Sequence, residues 1–144
     1  MDMDKILPHD RPMIFIDKVL EVNLEEGYTI CEVTIHDKKI FFNKEINGIS
    51  PLIGIEFMAQ TIGCYSFYKS GQKPPKIGFL LGTRMYRNSL EKFKNNETYT
   101  IKAKEIYTDN ELVSFECLIY NKNEEVASAV INAYQPANAE EYVK

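Results

Sequence analysis

The chain has 144 residues, 44% hydrophobic and 26% charged, with a formal net charge of −4. That is the size and balance of one soluble globular domain, which excludes a disordered segment, and the lack of a basic run excludes a phosphate-tracking nucleic-acid surface. No apolar run reaches the roughly 18 residues that a membrane-crossing helix needs.

Three cysteines, Cys31, Cys64 and Cys117, each lie in an apolar stretch and form no CxxC pair. Neither a disulfide framework nor a zinc site is expected, and a reducing cytosol suits them. The opening MDMDKILPHD lacks a basic region followed by an apolar one, so no address is expected and a cytoplasmic setting is.

In chain order, Met13 to Val22 follows Pro12, is rich in β-branched and aromatic residues, and predicts a strand. Asn23 to Gly27 supplies a turn. Tyr28 to His36 then alternates Cys31, Val33 and Ile35 with Glu32 and Thr34, the period of a strand with one buried face.

From Pro51 to Ser70 the pattern changes. The stretch is apolar nearly all round, with Glu56 its single charge before Lys69. Its length, a capping Ser50, Pro51 at a first helical position and Gly71 at the end predict a buried helix. Gly54 and Gly63 oppose helix by about 1 kcal/mol each, a loss that is tolerable where a backbone or ligand approaches closely. Lys69, Lys73 and Lys76 cluster around the following loop, either as solubilising charge or as a docking patch for an acidic partner.

Four further strands are predicted over Ile77 to Tyr86, Tyr99 to Tyr107, Leu112 to Tyr120 and Val126 to Tyr134. Thr108 to Glu111 and Asn121 to Asn123 provide hairpin turns. Residues 136–144 read as a surface tail. Two strands, one buried helix and four strands make a single α+β domain over 1–144, with an antiparallel sheet wrapped around a central helix in the hot-dog arrangement. Such a sheet leaves the flank of its helix open, so a homodimer or higher homo-oligomer is expected.

The candidate chemistry centres on Glu56. A carboxylate in an apolar helix has to be paired, protonated or facing a pocket, and the competing reading is a favourable interaction with the helix dipole. Gln60, four residues on, shares its helical face and is placed to orient Glu56, touch substrate or simply pack. Of the two histidines, His9 sits in the proline-stiffened Leu7-Pro8-His9-Asp10-Arg11-Pro12, whereas His36 looks solvated; His9 is therefore the candidate base, or an ordinary structural histidine. Gly78 and Gly82 interrupt the apolar run Ile77-Gly78-Phe79-Leu80-Leu81-Gly82-Thr83-Arg84. They suggest a bulge or close backbone approach, by an acyl chain along Gly78, Phe79, Leu80 and Gly82 or by the helix itself. No serine elbow, phosphate loop or dinucleotide fingerprint is present.

Leu7-Pro8-His9 leading into the first strand, together with Gly54-Ile55-Glu56-Phe57-Met58-Ala59-Gln60, resembles the 3-hydroxyacyl-acyl-carrier-protein dehydratases. With Gly78 to Arg84 and Asn132-Ala133-Tyr134-Gln135-Pro136, the chain is similar to the ApeP-like branch associated with aryl-polyene lipid synthesis, nearly end to end. The resemblance implies a hot-dog dimer with a substrate tunnel at its interface holding a His and Glu pair, the Glu being Glu56. It also implies a substrate carried on the phosphopantetheine of acyl carrier protein.

One departure stands out. Better-known dehydratases carry their base in a Gly-His-Phe-Pro motif shortly before the helix, and here Phe41 to Pro51 reads FFNKEINGISP, with no histidine. The expected mechanism therefore gives the base to His9, the proton for the 3-hydroxyl to Glu56, and the thioester carbonyl to backbone N–H groups near Gly54, without metal or redox cofactor. Two other readings stay open. One is thioester hydrolysis on the same fold, and the other is a non-catalytic partner subunit of a dehydratase.

Overall fold

Residues 14–71 and 79–134 are described by a computed structural model, apart from the side chains of 79–81 and 84. His9, Lys73, Lys76, Gly78 and the tail 136–144 lie outside the described residues. The elements in chain order are β1 (Lys18–Asn23), β2 (Tyr28–Thr34), β3 (Phe42–Asn43), β4 (Gly48–Ile49), a 3-10 turn (Pro51–Ile53) and α1 (Gly54–Lys69). There follow β5 (Phe79–Asn88), β6 (Phe93–Lys94), β7 (Thr98–Asp109), β8 (Leu112–Asn121) and β9 (Glu124–Tyr134).

Alternation along the long strands decides which way the sheet faces. Thr29, Cys31 and Val33 of β2, Tyr99, Ile101 and Ala103 of β7, Phe115, Cys117 and Ile119 of β8, and Ala127, Ala129, Ile131 and Ala133 of β9 are all buried. Their neighbours point the other way, as a period of two requires. The result is a six-stranded antiparallel sheet in the order β1-β2-β7-β8-β9-β5. Its buried face closes over α1, whose Phe57, Met58, Ile62, Cys64 and Tyr65 complete the core. Alanines on β7 and β9 keep that face shallow enough for a helix to lie in it. This is the α+β wrapping expected of the hot-dog arrangement.

Three details differ from the sequence reading, each for a local reason. The first strand begins at Lys18, not at Met13. Phe15 and Ile16 lie buried in the core, but their N–H groups donate to the Gln60 side chain at 2.8 and 3.3 Å instead of to a neighbouring strand. The helix opens with a turn of 3-10 helix, so the α-helix proper starts at Gly54. A second, three-stranded sheet, β3-β4-β6, joins the segment before the helix to the connection between β5 and β7. Its strands of two residues are too short to leave a periodic signal.

β1 and β5 are the sheet edges. β5 carries the bulge expected of its glycines, between Leu80 and Gly82, and a second between Arg84 and Arg87. Gly82 is exposed, and a Cβ placed there meets no described atom within 4 Å, so packing against the helix does not account for it. Among the described residues no helix is long and apolar enough to cross a membrane.

Candidate active site

The start of α1 is built from hydrogen bonds that all converge on one turn. Ser50 accepts the Leu52 N–H on its hydroxyl at 3.3 Å and the Ile53 N–H on its carbonyl at 3.1 Å. The Gly54 N–H donates to the Pro51 carbonyl. Of the N–H groups near Gly54 expected to receive a thioester carbonyl, that of Gly54 itself is used in closing this turn.

From across the sheet edge, the Tyr86 hydroxyl donates to the same Pro51 carbonyl. The Asn88 side-chain amide donates to the Tyr86 hydroxyl at 2.8 Å and reaches the Pro51 carbonyl at 3.4 Å. A Cβ at position 54 would lie inside the Tyr86 hydroxyl and 3.1 Å from the Phe93 ring. Gly54 is therefore required by this approach of helix to strand.

Glu56 follows in the first helical turn. It is half-buried, and its carboxyl makes no hydrogen bond or ion pair among the described residues. It stands on the stripe Leu52, Glu56, Ala59, Gly63, three and four residues apart, which the sheet leaves uncovered; Leu52 is 72% exposed and the other three half-buried. The position at a helix start favours negative charge, and the carboxyl's hydrogen-bonding capacity is open.

Gln60, one turn further on, is set more deeply than Glu56. It is 1% exposed, and its Oε1 takes the Phe15 and Ile16 N–H groups. Through this oxygen Gln60 fastens the segment that follows Pro12 to the helix, the packing role that the sequence left open for it. On the other side, the nearly buried Lys39 ammonium donates to the Phe15 carbonyl at 2.7 Å and to Asp17 at 2.6 Å.

His36 is exposed, and its Nδ1 accepts the Lys38 N–H at 3.2 Å. Phe79 and Leu80 pair with Tyr134 and Ala133 on β9. The thiol of Cys64 is held far above its usual range by its hydrogen bond with Cys31 and by burial, and burial pushes Cys117 up to about 12. Neither Cys64 nor Cys117 is thereby disposed to act as a thiolate.

A second polar cluster closes the far end of α1, and no local spacing of residues signals it. Glu105 of β7 accepts from Lys69 at 2.9 and 3.1 Å, Thr108 at 2.8 Å and the Tyr65 hydroxyl at 3.3 Å. Burial raises the Glu105 carboxyl, but Lys69 and Thr108 outweigh it and hold the group below its ordinary value. Burial and the adjacent Glu105 push Tyr65 up to about 12. A cavity of about 140 Å³ opens here, lined by Tyr65, Ser66, Lys69, Ser70, Glu105, Val113 and Phe115. Lys69, one of the lysines of the suggested docking patch, is thus already ion-paired.

Sequence reasoning missed Tyr86 and Asn88 as well. They lie over 30 residues from the helix start they hold, and only tertiary structure brings them there.

Comparison with known proteins adds a family and a fold. The model of the ApeP-like family, described as ApeP dehydratase, matches residues 1–144. A 3-hydroxyacyl-[acyl-carrier-protein] dehydratase FabZ of Thiobacillus denitrificans is 34% identical over 87 residues, covering 56% of this chain and 59% of the relative. The chain thus spans little more than half the length of the curated relatives it matches. Among solved structures, a chain of the dehydratase heterocomplex ApeI:P from Xenorhabdus doucetiae superposes with a TM-score of 0.86 at 27% identity, covering 99% of this chain and 95% of that one. A hypothetical thioesterase with coenzyme A from Streptococcus pneumoniae superposes at 0.65 with 12% identity, over 83% of this chain and 84% of that one, and shows the shared fold alone.

Proposed function

Because the chain belongs to the ApeP-like dehydratase family, matched from residue 1 to 144, we propose that it dehydrates 3-hydroxyacyl thioesters carried by acyl carrier protein. The products are a trans-2-enoyl thioester and water. The observation that carries this reading is Glu56: a half-buried carboxyl on an otherwise apolar helix, with no partner among the described residues.

In this reaction a base removes a proton from the α-carbon, the electron pair forms the α–β double bond, and the β-hydroxyl leaves as water after accepting a proton. Glu56 delivers that last proton. His9, six residues before the Phe15 that Gln60 holds, is the proposed base, from the same chain or a second one. Backbone N–H groups of the helix start beyond Gly54 would receive the carbonyl oxygen as negative charge develops on it. In this reading the substrate reaches Glu56 along the uncovered helix stripe, and Phe79, Leu80 and Gly82 of β5 are its further contacts. A second copy closes that side as a homodimer, and the setting is cytoplasmic.

The test is enoyl formation from a 3-hydroxyacyl-acyl-carrier-protein by the purified chain. Glu56→Gln should lower turnover by about two to four orders of magnitude, the usual worth of a positioned acid or base, with the fold intact. Wild-type turnover in that variant ends the assignment, and thiol release without enoyl product turns it into a hydrolase.

A second reading has its own observation. No histidine occurs between Phe41 and Pro51, and the structural relative at 27% identity is one chain of a heterocomplex. On that reading the chain completes the site of a catalytic partner. Enoyl product would then appear only on adding a partner chain, and it would be insensitive to Glu56→Gln.

A further inference from the structure

The uncovered end of β5 does more than border the helix. Where β5 pairs with β9, Arg84 faces Val130 and Arg87 faces Ser128, so Met85 and Tyr86 together stand opposite one residue of β9. Met85 takes a positive φ of 55°, which a non-glycine residue adopts only when its surroundings hold it there. A bulge of this kind re-aims side chains. Met85 points out, 68% exposed, and Tyr86 points in, against the first turn of α1.

There the hydroxyl meets the Pro51 carbonyl, with the Asn88 amide 2.8 Å behind it. Burial raises the Tyr86 phenol above its usual range, so it remains a donor at neutral pH. Pro51 lies a little over one helical turn before Glu56, in the segment whose direction sets that of the whole first turn. Position 54 holds no side chain that could keep the strand away.

The structure assigns Tyr86 the role of a positioning residue: its hydroxyl, on the Pro51 carbonyl and backed by Asn88, locks the first turn of α1 to edge strand β5 and so sets where the Glu56 carboxyl stands. The assignment rests on the proposed role of Glu56. It also gives edge β5 a route to the site, because any chain that pairs with β5 would bear on the bulge that aims Tyr86.

Turnover and KM would be measured with 3-hydroxyacyl-acyl-carrier-protein for the wild type, Tyr86→Phe, Glu56→Gln and the double variant, with the melting temperature of each. If Tyr86 acts through Glu56, Tyr86→Phe lowers kcat about 10-fold, because small misplacements of a catalytic group are costly. KM then stays within about twofold, melting shifts by a few degrees, and the same substitution adds nothing to Glu56→Gln. An unchanged kcat in Tyr86→Phe beside an inactive Glu56→Gln overturns the positioning role and leaves Glu56 standing. An equal loss in both backgrounds also overturns it, since Tyr86 would then act elsewhere. Full activity in Glu56→Gln removes the catalytic reading and the positioning role with it. Amide exchange supplies a check without turnover: in Tyr86→Phe the first turn of α1 should exchange about 10-fold faster while its last turn is unchanged, and protection equal to wild type refutes the lock.

Discussion

Glu56 and Glu105 meet the two ends of the same helix and are hidden to a similar degree, yet their surroundings are opposite. Glu105 accepts from Lys69, Tyr65 and Thr108, and its charge is balanced at the surface. Glu56 has no such partners among the described residues. A buried carboxyl whose oxygens are saturated serves the fold, because any incoming group would have to displace existing bonds. One whose oxygens are open lacks what folding alone would supply, and its capacity is left for a group from outside the chain. On the proposed reading, the two ends of α1 differ by their partners and not by their burial: Glu105 serves the fold, and Glu56 is left for chemistry.

The sharpest way to break that contrast is to neutralise each carboxyl in turn. Glu56→Gln should lower enoyl formation by about two to four orders of magnitude, whereas Glu105→Gln should leave the rate within about twofold. Comparable losses in both, in a steady-state assay at neutral pH, would mean that the paired carboxyl is as close to the chemistry as the open one. Gln60 extends the comparison to a neutral group whose oxygen is engaged. Gln60→Leu strands two backbone donors in the core and should destabilise the chain by about 2–4 kcal/mol in urea unfolding. A loss under about 1 kcal/mol would show that water or another group takes over those donors.

How much of this could be read beforehand depended on the range of each interaction. The long strands and the helix announce themselves through local period, since Cys117 and Ile119 or Phe57 and Met58 are buried by geometry repeated within the element. Glu56 was legible for the same reason, as one charge against an apolar background. The start of β1 was not. Ile14 to Ile16 carry the composition of a strand but give two donors to Gln60, more than 40 residues away. Nor were Tyr86 and Asn88 legible as the clamp on Pro51, or Glu105 as the partner of Lys69: such contacts leave no spacing in the chain. Gly54 is the intermediate case. Its cost to the helix pointed to a close approach, but only the structure identifies the neighbour as Tyr86 and the N–H as already used.

That neighbour makes the next prediction. Gly54→Ala should gain about 1 kcal/mol of helix propensity and lose more, since its Cβ would overlap the Tyr86 hydroxyl and press on Phe93. A net destabilisation of about 1–2 kcal/mol is expected, within the range for overpacked sites. Combining it with Tyr86→Phe should cost less than the sum of the single changes. Strict additivity in urea unfolding would mean that the two residues do not meet.

The smallest effect tests the saturated end by pH. The Glu105 carboxyl is depressed in the folded state, Lys69 and Thr108 outweighing burial, so the unfolded chain binds a proton there more readily than the folded one. Its contribution is complete above the ordinary carboxylate value of about 4.3 and is lost as the pH falls through the lower folded value. Lys69 is 53% exposed, so solvent screens the pair, and Glu105→Gln should cost about 1 kcal/mol or less at pH 7. The difference between variant and wild type should shrink as the pH is taken below about 4, and it should be smaller at high salt. Were the deficit instead constant from pH 7 down to pH 3, Glu105 would be acting through its shape and neutral hydrogen bonds, and the contrast with Glu56 would lose its electrostatic half.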